Sequence, residues 1–359
     1  MAVSSMPVLV INPGSTSTKV AIFDGEALAG ERVIRHSPQE LAALGGIAQQ
    51  KDLRALHVRS FLQESGVAPK ALRAVVGRGG MLRPVRSGTY AVNDRMLEDL
   101  KTPLASSHAS ALGALIAAEI ARPLGIPAYV VDPVAVDEMD PVARLSGLPE
   151  IARRSFFHAL NAKAVARDCA KLLGVPYEEA RFVVAHMGGG ISVSAHCKGR
   201  VIDVNDSLSG EGPLSPERSG SVPLTPLIEL CFSGGFTKEE MLDKVRRGGG
   251  LLAYLGTSDL AAAERRAEEG EKLAREVIHA MAYQVSKQIG AMAAALKGRI
   301  NAIVLTGGLA RSERFVALIK ERVDRFAPVF CYPGEQEMLA MAKGALRVLT
   351  GRETALRYE

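Results

Sequence analysis

Val8-Leu9-Val10-Ile11-Asn12-Pro13-Gly14-Ser15-Thr16-Ser17-Thr18-Lys19-Val20-Ala21-Ile22-Phe23 opens the chain with an apolar run, a small polar turn and a second apolar run. Val8–Ile11 and Lys19–Phe23 read as two strands of a hairpin. The turn supplies an amide, a glycine and four hydroxyls, and Lys19 adds a cation. A phosphate needs unhindered backbone N–H donors, and glycine lets the backbone approach closely. The turn lacks the G-x-x-x-x-G-K-[ST] and G-x-G-x-x-G spacings, so it is a different phosphate-binding design.

The same strand, glycine turn, strand unit recurs at Phe182–Val193, around Gly188-Gly189-Gly190. A third glycine turn, Thr306-Gly307-Gly308, follows another apolar run. Two related halves, each with a glycine hairpin, follow from this repetition. Further strands are expected at 74–76, 128–131, 201–204, 302–305 and 329–331. Helical stripes alternate with them. Leu273, Val277, Met281, Val285, Ile289, Met292 and Leu296 step by three or four, and Gly298 ends the run. Phe157, Leu160, Ala164, Val165, Cys169 and Leu172 form a second stripe, with Ser155 placed to cap it. Leu318, Ile319, Val323 and Phe326 form a third, stopped by Pro328. The methionines in these stripes read as core. This alternation is an α/β architecture, and the 359 residues suit two domains. Residues 141–151 are the natural connection.

Composition narrows the function. Apolar residues make up 47% and charged residues 23%, so sizeable cores can be buried. A net charge of +5 with 5% aromatics gives no basic, aromatic-lined surface for nucleic acid. No apolar run reaches the ~20 residues of a membrane helix. Cys169, Cys197, Cys231 and Cys331 show no C-x-x-C spacing and read as buried thiols of a reducing compartment. The N-terminus shows no leader pattern, which makes the cytoplasm the expected location.

Polar residues stand directly after apolar strands: Arg78, Asp132, His186 and Gly307. Ligands of open α/β sheets bind outside the carboxyl ends of strands, so these residues are expected to converge on one edge. Arg218 lies in the long segment Ser215-Pro216-Glu217-Arg218-Ser219-Gly220, where a guanidinium could hold a carboxylate or phosphate. His108 and His158 each stand at the start of a helix, beside backbone donors that collect anions. His36, His57, His196 and His279 read as capping or core-edge residues. Asp132 and Glu337 are candidates for Mg²⁺.

Asn12-x-Gly14-Ser15-x-Ser17-x-Lys19, Arg78-Gly79-Gly80, His108, Asp132, His158, His186-x-Gly188-Gly189-Gly190, Arg218-Ser219-Gly220 and Thr306-Gly307-Gly308 together resemble the acetate/butyrate kinase family. The resemblance runs from Val8 to about Leu349. Gly77-Arg78-Gly79-Gly80 and Ala253-Tyr254-Leu255-Gly256-Thr257 look more like the butyrate branch.

The resemblance implies two domains of related actin-like, ribonuclease H-like topology with an ATP cleft. The N-terminal domain would span 1–150 with a return at about 338–359, and the nucleotide-binding domain 151–337. The implied activity is a short-chain fatty-acid kinase transferring the ATP γ-phosphate to butyrate. A branched-chain or an acetate/propionate substrate is the alternative within the family. A sugar kinase, or a non-catalytic nucleotide-dependent regulator, is the alternative of another class. The resemblance also implies Mg²⁺ with ATP or ADP, and a homo-oligomer.

Residue by residue, it implies that Asn12, Gly14, Ser15 and Lys19 lie near the transferred phosphate. Arg78 and Arg218 would bracket the acyl phosphate, His108 would border the substrate, and His158 would stabilise the moving phosphoryl group. His186 and Gly188, Gly189 and Gly190 would contact ATP phosphates. Gly307, Gly308 and Arg311 would approach the adenosine. Asp132 and Glu337 would position Mg²⁺, although Glu335-Gln336-Glu337 allows two registers.

Overall fold

The computed structural model describes residues 5–102 and 108–359. The chain forms two compact units, 1–136 with 336–359, and 137–335. In chain order the strands are β1 (Pro7–Pro13), β2 (Ser17–Asp24), β3 (Ala27–Arg35), β4 (Ala74–Gly77), β5 (Thr89–Ala91) and β6 (Ala128–Val131). They continue as β7 (Arg181–Met187), β8 (Ile191–Cys197), β9 (Arg200–Val204), β10 (Ala302–Gly307), β11 (Val329–Pro333) and β12 (Leu356–Arg357).

The first unit holds one sheet in the order β12-β5-β6-β4-β1-β2-β3. β1, β2 and β3 form an antiparallel meander, β4 runs parallel to β1, and β6 runs parallel to β4. Val8, Leu9, Val10 and Ile11 are all fully buried. A strand covered on both faces reads as a continuous apolar run, which is why the opening stretch shows no alternation. Leu9, Ile11, Val20 and Ile22 pack with Val58, Phe61 and Leu62 of the helix Lys51–Glu64 and with Leu112 and Ile116 of the helix Ala111–Ala121. The C-terminal helix Glu337–Leu349 packs on β1, β4 and β6. The helix Ala111–Ala121 touches β4 backbone to backbone. A Cβ on Gly77 would lie 2.1 Å from the Gly113 carbonyl oxygen, so neither position has room for a side chain.

The second unit holds the order β11-β10-β7-β8-β9. β7, β8 and β9 are antiparallel, β10 runs parallel to β7, and β11 runs parallel to β10. Strand for strand this repeats β6-β4-β1-β2-β3. The related halves expected from the two glycine turns are therefore present. The core gathers Val183, Ala185, Ile303 and Leu305 with Val277, Met281, Val285 and Ile289 of the helix Lys272–Ala295, so the methionine stripe is packing.

Several expectations need correction. Arg78 and Asp132 follow strands of the first sheet, and His186 and Gly307 end strands of the second, so there are two edges and not one. Ser155 does not cap the helix Ala159–Leu172: His158 occupies the cap position, no side chain bonds there, and Ser155 is itself buried. Only Cys169 is a buried thiol, and burial pushes its pKa up to about 11, whereas Cys231 is exposed. Cys231 ends the helix Leu224–Cys231, which has no buried residue although its sequence is largely apolar. No helix among the described residues is long and apolar enough to cross a membrane.

Candidate functional site

In the first unit the hairpin turn is closed by the Gly14 N–H donating to the Ser17 carbonyl at 2.7 Å. Asn12 and Lys19 are cross-strand neighbours at its base. The Asn12 amide donates to the Glu337 carboxylate at 2.8 Å, and the same carboxylate forms an ion pair with Arg78. Glu337 is the first residue of its helix, where a carboxylate suits the positive end of the dipole. Arg78 is set by its own N–H, which donates to the Ile11 carbonyl at 2.9 Å. Three residues from distant parts of the sequence thus form one polar cluster at the hairpin.

Asp132 sits at the end of β6 with φ of 37°, 1% exposed. Its Oδ1 accepts from the Ser87 hydroxyl and the Gly88 N–H, at 2.5 and 2.8 Å. It therefore ties the 87–88 loop to the strand end. His108 lies on the surface beside Ser110, its Nδ1 2.8 Å from the hydroxyl. Desolvation, followed by the Arg78 guanidinium, holds its pKa below the ordinary histidine value.

Behind the hairpin, His36 is 3% exposed and its Nε2 lies 2.9 Å from the Thr18 hydroxyl. Burial first, then Arg54 and His57, lower its pKa from 6.5, while Glu40 opposes them. A depressed pKa means the unfolded chain binds the proton more readily. The stabilising contribution is full above pH 6.5 and is lost as pH falls through the folded value. Wild-type unfolding free energy should fall on acidification from pH 7 to 5. A His36→Gln chain measured by urea denaturation should show a flatter profile, and identical slopes would contradict this assignment.

In the second unit, His158 and His186 stack with ring centroids 3.8 Å apart and planes 11° apart. The proton position on His186 follows from a chain of hydrogen bonds. The Thr306 hydroxyl donates to the Gly334 carbonyl at 3.2 Å, so its oxygen can only accept from Asn161. The Asn161 amide nitrogen therefore serves both Thr306, at 3.0 Å, and His186 Nδ1, at 2.9 Å. His186 then carries its proton on Nε2, which faces the Glu335 carboxylate at 3.4 Å. His158 Nδ1 lies 3.1 Å from the Ser192 hydroxyl.

The turn Gly188–Gly190 is pinned by the Ser215 hydroxyl and the Glu217 N–H, both donating to the Gly189 carbonyl, at 2.6 and 3.2 Å. Arg218 lies against the same turn. A Cβ on Gly190 would fall 1.7 Å from its Nη1, so only glycine leaves room for the guanidinium. Nη1 donates to the Ser207 carbonyl, and Nε is buried without a hydrogen-bond partner. Desolvation lowers the Arg218 pKa against the opposing influence of Glu217 and Asp206. Gly307 and Gly334 exchange hydrogen bonds of 3.1 and 2.9 Å, and the Arg311 side chain packs against Gly334. Gly308 and Arg311 share the single helical turn after β10.

The structure thus gathers Asn12, Gly14, Lys19, Arg78 and Glu337 in one unit. In the other it gathers His158, His186, Gly188–Gly190, Arg218 and Gly307. Glu335 and Glu337 part company: one faces His186, the other Asn12 and Arg78. Sequence reasoning missed Asn161, Ser215, Ser87 and Arg54. Asn161 had one available signal, its position one helical turn beyond His158.

The acetokinase family model matches residues 148–330, just over half of the chain. The chain belongs to the acetokinase family. Membership implies the coarse activity, phosphoryl transfer to a carboxylate. Solved structures agree on the fold. An acetate kinase from Porphyromonas gingivalis is 20% identical with a TM-score of 0.77, covering 96% of this chain and 100% of that one. A propionate kinase from Francisella tularensis is 20% identical with a TM-score of 0.77, covering 94% and 98%. An acetate kinase from Entamoeba histolytica is 18% identical with a TM-score of 0.78, covering 95% and 99%. The acetokinase chain therefore has the two-sheet α/β fold of these kinases, the actin-like architecture that the family resemblance implied.

Proposed function

We propose that this acetokinase is a short-chain fatty-acid kinase acting on butyrate or a close relative, with ATP and Mg²⁺. The observation that carries the reading is Arg218, a guanidinium laid on a glycine turn with a buried N–H that has no acceptor. An anionic ligand would complete it. A hydroxyl acceptor would need a general base, whereas a carboxylate is already ionised at neutral pH. A carboxylate oxygen attacks the γ-phosphorus, the bond from γ-phosphorus to the bridging oxygen breaks, and ADP leaves. No proton moves, and the chemistry reverses because both phosphates are activated.

The difficulty is bringing anions together, and the charged side chains address it. Arg78 and Arg218 bind the acyl phosphate, His158 stabilises the moving phosphoryl group, and His108 borders the substrate. Asn12, Gly14, Ser15 and Lys19 receive the transferred phosphate. His186 and Gly188–Gly190 contact the nucleotide phosphates, and Gly307, Gly308 and Arg311 the adenosine, which makes 137–335 the nucleotide-binding unit. The available metal donors are carboxylates, and no cluster of three His, Cys, Asp or Glu suited to a metal occurs among the described residues. Oxygen donors suit Mg²⁺, and Asp132 and Glu337 would be the side chains that orient it. Mg²⁺ would neutralise phosphate charge.

A cytoplasmic location and a homo-oligomer belong to the same proposal. The helix Leu224–Cys231, with Leu224 and Ile228 69% and 57% exposed and only Leu227 half-buried, supports a second copy as its cover. Hydroxylamine trapping of acyl phosphate, over straight and branched C2 to C6 acids, tests the activity. Mg-ATP-dependent product with kcat/KM highest at C4 or a branched C4–C5 acid is expected. Single methylenes change such ratios by about 1–3 kcal/mol. Phosphorylation of sugars but of no carboxylate would overturn the reading. Light scattering on the same preparation should give at least twice the chain mass of 38.1 kDa.

A further inference from the structure

Arg54 is 0% exposed, on the helix Lys51–Glu64 that packs behind the phosphate hairpin. Its Nη1 donates to the Gly14 and Ser17 carbonyls at 2.9 and 3.0 Å and to the Thr18 hydroxyl at 3.0 Å. Its Nη2 donates to the Ser15 carbonyl at 3.0 Å and to the Gln50 side-chain oxygen at 2.8 Å, which Nε also reaches at 3.2 Å. Every partner is neutral. A buried guanidinium without a carboxylate is costly, and hydrogen bonds to carbonyls offset only part of that cost. Desolvation accordingly lowers its pKa.

The bond directions carry the consequence. In a trans peptide the carbonyl and the N–H point opposite ways. With the Gly14 and Ser15 carbonyls turned onto Arg54, the N–H groups of Ser15 and Thr16 point away from it. Both residues are exposed, and neither N–H finds a backbone acceptor among the described residues. Successive outward N–H groups form an anion-binding concavity.

We propose that Arg54 is a positioning residue and the fixed countercharge of this concavity: it turns the carbonyls inward, aims two N–H groups outward, and is neutralised when a phosphate group binds there. This rests on the reading of the hairpin as a phosphate site. Inorganic phosphate is the probe, titrated at constant ionic strength into the full-length, isotope-labelled chain. The amide resonances of Ser15 and Thr16 report binding at the hairpin itself.

In the wild-type chain those resonances should shift saturably. Arg54→Gln should weaken the phosphate Kd at least tenfold. Arg54→Lys keeps the charge but cannot hold three carbonyls, and should fall between. Either variant within twofold of wild type overturns the proposal, as does a lysine variant no better than glutamine. Where Arg54→Gln does not fold, Arg54→Lys decides: three- to tenfold weaker binding supports the proposal and unchanged binding overturns it. Wild-type amides that ignore phosphate would remove the hairpin reading as well, whereas responsive wild-type amides with unaffected variants remove the role of Arg54 alone.

Discussion

Arg218→Ala should lower turnover roughly 10²–10³-fold, the loss typical of removing one donor aimed at developing charge, while Mg-ADP binding stays within a few-fold of wild type. The contrast follows from placement. The glycine turn that would receive the nucleotide phosphates is pinned by Ser215 and Glu217, not by the Arg218 side chain. The guanidinium only rests on Gly190 and donates to the Ser207 carbonyl. Its Nε is desolvated and has no acceptor, so removing it also removes an unmet buried donor. The lost bond to the Ser207 carbonyl opposes that gain, so the melting temperature should change little. That separates a lost chemical role from a damaged fold. Arg218→Lys should recover little, because a point charge cannot reproduce a planar fork. Hydroxylamine trapping for turnover and calorimetry for nucleotide affinity make the comparison. A rate within tenfold of wild type would remove Arg218 from the chemistry.

The strands of both cores were legible because burial on two faces writes itself as unbroken apolar runs, as in Val8–Ile11 and Phe182–Ala185. β3 was not. It is an edge strand, mostly exposed, and nothing selects its residues for one face. The three-residue β5 and the two-residue β12 are too short to carry a period. The candidate site divides in the same way. Glycine turns and strand-end residues are local, so Asn12, Arg78, His186 and Gly307 could be read in place. Arg54 and Asn161 act through partners distant in sequence. Arg54 lies on a helix whose buried side also carries Val58 and Phe61, where an arginine reads as a solvated charge. Only the fold shows that its donors end on the hairpin carbonyls. The sequence favours Glu337 but leaves Glu335 as a second register, and the start of the last helix and the two sets of partners separate them.

That distinction carries the second large effect. Glu337→Gln should lower kcat about 10²-fold, and Glu335→Gln no more than about threefold, the former being the cost of a small misplacement near the chemistry. In the wild-type chain two donors meet one carboxylate: the Asn12 amide on one oxygen and Arg78 on the other. A glutamine offers one oxygen and one NH₂, so either Asn12 or Arg78 must face a donor. Arg78 is only 16% exposed at its side chain and cannot simply turn to water. The loss of one partner from such a pair costs about 1–3 kcal/mol, which chemical denaturation should detect. Glu335 is 44% exposed, and its partner His186 is held independently by Asn161, so the fold should not register its loss. Mg²⁺ dependence discriminates further. If Glu337 orients the ion, Glu337→Gln should also raise the Mg²⁺ concentration for half-maximal rate. A variant with normal Mg²⁺ dependence but lowered kcat would confine Glu337 to holding Arg78 and Asn12. A large effect at Glu335 with Glu337 silent would transfer the metal role to the residue beside His186, leaving the Arg78–Glu337 pair a purely structural tie.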